Sequence, residues 1–132
     1  MNLIIDTHAL IWAAMDTGKL SDAARTNIID RKNNVHVSVV SFFEISLKYS
    51  MGRLELKGIL PDDFPEISSE MGFSIQELSA ETVSTFYKLP KTDNKDPFDR
   101  LIAWEAIRSG MVLVSRDKGF ESYGKFGLRT LW

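Results

Sequence analysis

The sequence predicts an α/β domain built as a three-layer sandwich, with a central, mostly parallel sheet of about five strands flanked by helices. Three observations predict it. Short apolar or β-branched runs recur at residues 2–6, 35–38, 73–75, 111–115 and 128–132. Segments with helical spacing of apolar residues separate them, which is the alternation that builds βαβ units. The runs Leu3-Ile4-Ile5 and Met111 to Val114 are continuous rather than alternating in polarity. Strands of that kind are buried on both faces, as in parallel sheets joined by right-handed crossovers. At 132 residues the chain fits a single domain, residues 1–132, able to bury roughly two-thirds of its unfolded surface.

Each element has its own signal. Residues 2–6 form the first buried strand and run into a helix at Thr7 to Met15, ended by Asp16-Thr17-Gly18. Ser21 caps a second helix from Asp22 to about Lys32, with Ala24, Ile28 and Ile29 on its apolar face. Asn33-Asn34 is a turn, Val35 to Ser38 a strand, and Ser41 to about Met51 a helix with Phe42, Ile45 and Tyr49 at helical spacing, stopped by Gly52. Pro61 and Pro65 forbid one long helix across residues 53–72, which leaves a short helix near Pro61 to Met71. Phe73 to Ile75 reads as the third strand. A helix from Ser79 to Leu89 follows, with Val83, Phe86 and Tyr87 toward the core. After the polar loop 90–95, Asp96 caps and Pro97 opens a helix that runs to Ser109, with Gly110 beyond it. Met111 to Ser115 is a buried strand, Asp117 begins a short turn or helix, and Leu128 to Trp132 is the last strand.

Composition removes several classes of function. With no cysteine, disulfide frameworks, thiolate nucleophiles and zinc-thiolate sites are all excluded, and a reducing cytoplasm suits the chain. The start, Met1-Asn2-Leu3-Ile4-Ile5-Asp6, carries no basic signal-peptide segment, and no apolar run approaches a membrane-spanning length, so no membrane partner is expected. Net charge is −2. Setting aside five acids discussed next, the remainder is mildly basic, which leaves a nucleic-acid partner open.

Those acids are Asp6, Glu44, the Asp96/Asp99 pair and Asp117, each at a place where an apolar run gives way to a helix. Residues at the carboxyl ends of parallel strands converge on one crevice, where ligands bind. Crowding carboxylates costs about 3 kcal/mol for a pair ~5 Å apart at an effective dielectric near 20. A hard divalent cation, Mg²⁺ or Mn²⁺, offsets that cost through oxygen ligands and retains waters for chemistry. The leading reading is a metal-dependent phosphodiester hydrolase. Every acid also has a structural alternative. Asp6 and Asp117 suit helix caps, Ser41-Phe42-Phe43-Glu44 has capping-box spacing, and Asp99 fits a first-turn acid. Asp96 and Asp99, however, share one helix face three residues apart, a repulsive arrangement unless something positive lies between them.

Other residues say less. His8 and His36 have no partner at metal-ligand spacing and suit core or surface roles, and Trp12, Phe42, Phe43, Phe98 and Trp104 suit a core or an interface. No nucleophile elbow and no phosphate-cradling loop is present. Lys48, Arg53, Lys91, Lys95, Arg100 and Arg116 flank the acids and are candidates to hold a phosphate backbone.

Four segments resemble the PIN-domain ribonucleases, and more closely the VapC-like toxins of type II toxin-antitoxin pairs: Leu3-Ile4-Ile5-Asp6-Thr7-His8, Ser38 to Lys48 with Gly52-Arg53-Leu54, Asp96-Pro97-Phe98-Asp99-Arg100-Leu101-Ile102-Ala103, and Leu113 to Asp117 with Phe120 and Tyr123. They occur in family order and span nearly the whole chain. The resemblance implies a PIN-like fold, with Asp6, Glu44, Asp99 and Asp117 as an acidic quartet that is both catalytic and metal-binding, and Asp96 as an accessory acid. It adds Thr7 and Ser115 to the candidate substrate-binding residues Lys48, Lys95, Arg100 and Arg116. It further implies a Mg²⁺- or Mn²⁺-dependent endoribonuclease, an RNA substrate, a homodimer and a cognate antitoxin. Two departures stand out: Asn94 where many relatives carry histidine, and Trp104 where a smaller or polar residue is common. The alternatives are a non-catalytic PIN-like module that binds a protein or RNA, and a receiver-type signalling domain. The latter wants adjacent acids after the first strand, where this chain has only Asp6. A haloacid-dehalogenase phosphatase is disfavoured because His8 stands where the second acid of its motif belongs.

Overall fold

A computed structural model describes residues 1–132 and contains one five-stranded sheet in the order β3-β2-β1-β4-β5, all parallel. The strands are β1 (Asn2–Ile5), β2 (Asn34–Ser38), β3 (Ser74–Gln76), β4 (Val112–Val114) and β5 (Arg129–Leu131). The helices are α1 (Thr7–Met15), α2 (Asp22–Ile29), α3 (Val39–Ser50), α4 (Phe64–Glu70), α5 (Ala80–Ser84) and α6 (Pro97–Ser109). Because β1 pairs with β2 on one side and β4 on the other, the chain winds outward in both directions from β1. Its carboxyl end, where Asp6 follows, is the switch point at which parallel sheets open a crevice.

Two cores cover the sheet, as the continuous apolar strands demand. Leu3, Ile5, Val35, Val37, Val112 and Val114 pack on one face against Ala9, Leu10, Ala24, Ile45 and Phe64. Ile4 and Leu113 pack on the other against Ile102, Ala103 and Ala106 of α6, with Phe120 and Tyr123. The expected three-layer α/β sandwich is the fold of the molecule.

Several boundaries and faces differ from expectation. The third helix starts at Val39, not Ser41, because the Ser38 hydroxyl accepts the Val40 N–H at 3.0 Å and caps it. The capping-box reading of Ser41 and Glu44 therefore fails, and both lie inside the helix, buried. The second helix stops at Ile29, where Asp30 turns the chain, and Ile29 is 72% exposed rather than on the apolar face. Tyr49 is likewise exposed on α3. The single helix expected over 79–89 is α5 followed by a 3₁₀ turn at Phe86–Lys88, which rotates the faces: Phe86 is half-buried, but Val83 and Tyr87 are exposed, Tyr87 at 79%. The short helix near Pro61 likewise divides into a 3₁₀ turn at Pro61–Asp63 and α4.

Candidate active site

Asp6 leaves β1 and caps α1, its Oδ1 accepting the Ala9 N–H at 2.8 Å. Its Oδ2 accepts the Ser115 hydroxyl at 2.5 Å. Ser115 follows β4, and the same Oγ accepts the Asp117 N–H at 3.0 Å, so one hydroxyl joins the ends of two central strands. Burial pushes Asp6 above its ordinary value; hydrogen bonds from Ser115 and Ala9 and the field of His8 oppose this, and Glu44 adds to it.

Glu44 projects from α3 into the same crevice and is buried. The Thr7 hydroxyl, at the first position of α1, donates to Glu44 Oε1 at 2.6 Å and lies 3.0 Å from Ser41 Oγ. Lys48, one turn on, pairs with Oε2. Burial works against the Lys48 charge, but the Glu44 hydrogen bond and charge, with the charges of Asp96 and Asp99, raise it on balance.

Asp96 caps α6, one oxygen accepting the N–H groups of Phe98 at 2.8 Å and Asp99 at 3.3 Å. Asp99 faces the crevice, pushed up to about 7 first by burial and next by Asp96; a hydrogen bond from Asn94 opposes the rise, and Glu44 and Asp6 add to it. Acids from β1, α3 and α6 therefore lie within one another's fields, as convergence at a sheet edge requires. Asp117 sits at the exposed rim. Its Oδ1 accepts the Gly119 N–H at 2.8 Å. A Cβ on Gly119 would come within 3.0 Å of that oxygen and 3.5 Å of Asn94 Nδ2, the amide that also reaches Asp99 at 3.4 Å. Asn94 thus lies between Asp99 of α6 and the Gly119 turn that holds Asp117.

The oxygen-only donor set and the mutual repulsion at Asp99 fit a hard dication. No three acids or imidazoles stand at common ligand distance; each carboxylate is instead turned to the hydrogen-bond partner described above.

The candidate substrate-binding residues divide. Thr7 and Ser115 are buried and hold Glu44 and Asp6. The Arg100 guanidinium donates to the Leu89 carbonyl at 3.2 Å and lies 4.8 Å from the Phe86 ring centroid, so it fastens the 86–89 turn. Lys48 is committed to Glu44. Lys95 and Arg116 are exposed.

Two residues went unread in the sequence. Glu105 of α6 is buried, accepts the Ser38 hydroxyl, has no partner for its Oε2, and is pushed up to about 7 by burial against the opposing Ser38 bond. Its signal was an acid lying among Ile102, Ala103 and Ala106 on the apolar face of α6. Ser38 links that acid to the start of α3.

The fold, the acid cluster and the sequence define one class: the chain belongs to the PIN-domain family, whose model matches residues 3–126. Ribonuclease VapC22 of Mycobacterium tuberculosis is 25% identical over 130 residues, covering 98% of each chain. Among solved structures, VapBC2 from Rickettsia felis bound to a DNA fragment from its promoter matches with TM-score 0.68 at 17% identity, covering 99% of this chain and 98% of that one. FitAcB from Neisseria gonorrhoeae matches with TM-score 0.61 at 12% identity, covering 98% and 96%.

Proposed function

We propose that this chain is a divalent-cation-dependent endoribonuclease, the toxin of a toxin-antitoxin pair, working in the cytoplasm with Mg²⁺ or Mn²⁺ as cofactor. The observation that carries the reading is that Asp96, Glu44 and Asp6, from three separate elements, all act electrostatically on Asp99 in a PIN-domain chain with a ribonuclease relative. Asp6, Asp99, Asp117 and Glu44 are the groups to hold the ion. When bound, the ion supplies Lewis-acid charge for a phosphoryl oxygen and a water of lowered pKa.

The protein's own residues prepare that chemistry. Ser115 and the Ala9 N–H hold the two oxygens of Asp6, and Thr7 and Lys48 hold those of Glu44, which keeps both carboxylates at the crevice. Asp99, on which the charges of Asp96, Glu44 and Asp6 all act, would complete the ion's shell with Glu44 and orient the attacking water or take its proton. Asp117, exposed at the rim with its Oδ1 held by the Gly119 N–H, would complete the oxygen ligands of the ion from the solvent side. Lys95 and Arg116 supply exposed charge for the RNA backbone.

An antitoxin partner is supported by the VapBC and FitAcB neighbours. A homodimer is supported by the exposed Phe43, Leu47, Tyr49 and Met51 on and just after α3, Phe43 at 61%. No helix is long and apolar enough to cross a membrane.

Incubation of purified protein with total RNA in Mg²⁺, Mn²⁺ or EDTA, with mapping of new 5′ ends, tests the reading. Cation-dependent cutting is expected, and Asp6→Asn is expected to lower the rate by at least about 100-fold while circular dichroism stays unchanged. An Asp6→Asn protein that cuts at the native rate would sink the assignment.

A further inference from the structure

Glu105 is a buried acid with no part in the chemistry proposed above, and it lies where two of the acid-bearing helices touch. Its Oε1 accepts the Ser38 hydroxyl, and the same Oγ accepts the Val40 N–H at 3.0 Å as the cap of α3. Both residues are buried, Ser38 wholly. No other hydrogen bond and no salt bridge joins Ser38 or α3 to α6. The remaining contact is apolar, with Val40 of α3 in one cluster with Ile102, Ala103 and Ala106 of α6. Apolar burial is non-directional, so it holds two helices together without fixing their register. A buried hydrogen bond fixes it.

The contact stands at a matched distance from two acids. Counted from it, Glu44 lies six residues forward along α3 and Asp99 six residues back along α6, about 9 Å on each helix. The two helices face each other again at that level, since Glu44 acts on Asp99, and Lys48, one turn beyond Glu44, is acted on by Asp96 and Asp99. A slip at Ser38 and Glu105 would therefore be carried along both helices to the carboxylates. Stability alone does not call for an acid at this place. Glu105 Oε2 has no partner, and burial pushes the group up to about 7, so an apolar side chain of similar length would cost less there.

Resting on the nuclease reading above, we infer that Glu105 is a positioning residue for the cation site: through Ser38 it pins α3 to α6 and so sets the spacing at which Glu44 and Asp99 take one divalent ion.

The test is Mn²⁺ binding by titration calorimetry, which needs no RNA, beside steady-state cleavage of a defined RNA in Mg²⁺, both slightly below neutral pH. Glu105→Gln keeps a carbonyl acceptor for Ser38, whereas Glu105→Met keeps the length of the side chain and removes the acceptor. Glu105→Met is expected to be at least as stable as the native protein in urea, yet to bind Mn²⁺ about tenfold more weakly and to lose about tenfold in kcat, with a smaller change in KM. Glu105→Gln is expected to recover both. Ser38→Ala, which removes the donor instead, is expected to weaken Mn²⁺ binding to a similar degree, and the double variant to lose no more than either single one. Folded Glu105→Met with native Mn²⁺ affinity and kcat overturns the role, as does Glu105→Gln as impaired as Glu105→Met, or losses that add in the double variant. If the native protein binds Mn²⁺ and cuts RNA but the variants match it, only the positioning role fails; if it does neither, the nuclease reading fails and takes the role with it.

Discussion

Two hydroxyls fix the geometry of the acids. Thr7 and Ser115, read in the sequence as candidate substrate contacts, each donate a hydrogen bond to a buried carboxylate. Ser115→Ala removes a donor from Asp6 and the acceptor of the Asp117 N–H at once, so it is expected to lower kcat about 10- to 100-fold with a smaller change in KM, measured by steady-state cleavage of a defined RNA. Glu105 gives a second prediction, on stability. Its folded value of about 7 lies above the ordinary 4.5, so between those values the folded chain holds a proton that the unfolded chain has lost. The contribution is therefore fully present below about 4.5 and lost as pH rises through about 7. Glu105→Gln cannot lose it. The Tm of the variant minus that of the native protein should become more positive from pH 5 to pH 8; parallel curves would refute a protonated Glu105.

The elements were legible where local signals agree and obscure where they compete. Ser21 before α2, and Asp96-Pro97 with Gly110 around α6, are start and stop signals that no neighbour contradicts, and α6 runs over the residues the sequence named. Val39-Val40 is β-branched and extends the apolar run of β2, yet Ser38 caps there and both residues are helical. The Ser38 cap outweighed β propensity, and Glu44 lies in the helix interior rather than at its cap. Ser38→Ala is expected to destabilise the fold by about 1 to 3 kcal/mol, combining a lost cap with a buried Glu105 left without its donor, as read by urea denaturation. Five strands at one edge were enough to gather the acids, and Asp6, Glu44 and Asp99 were legible as a set for that reason. The hydrogen-bond network that orients them was not, because Thr7–Glu44 and Ser115–Asp6 join residues far apart in the chain, and no spacing rule reaches that distance.

At the scale of the whole molecule, the acid cluster is a cost carried by two cores. Leu113 is wholly buried and packs on α6, which bears Asp99. Leu113→Ala is expected to cost about 2 to 5 kcal/mol of stability. Added Mg²⁺ or Mn²⁺ is expected to raise the Tm of the native protein, because an ion that binds only the folded state stabilises it by mass action. The rise should shrink in Asp99→Asn, and a Tm indifferent to either ion would argue against a metal site.

The position of β1 between β2 and β4 has a consequence for synthesis. A growing chain released only through α5 holds Asp6 and Glu44 but neither Asp99 nor the Ser115 bridge, and one flank of its central strand is bare. The crevice becomes whole only after β4 and the segment following it have left the ribosome and slotted beside β1. The nascent chain is thus without its complete crevice until the last stretch of its own synthesis.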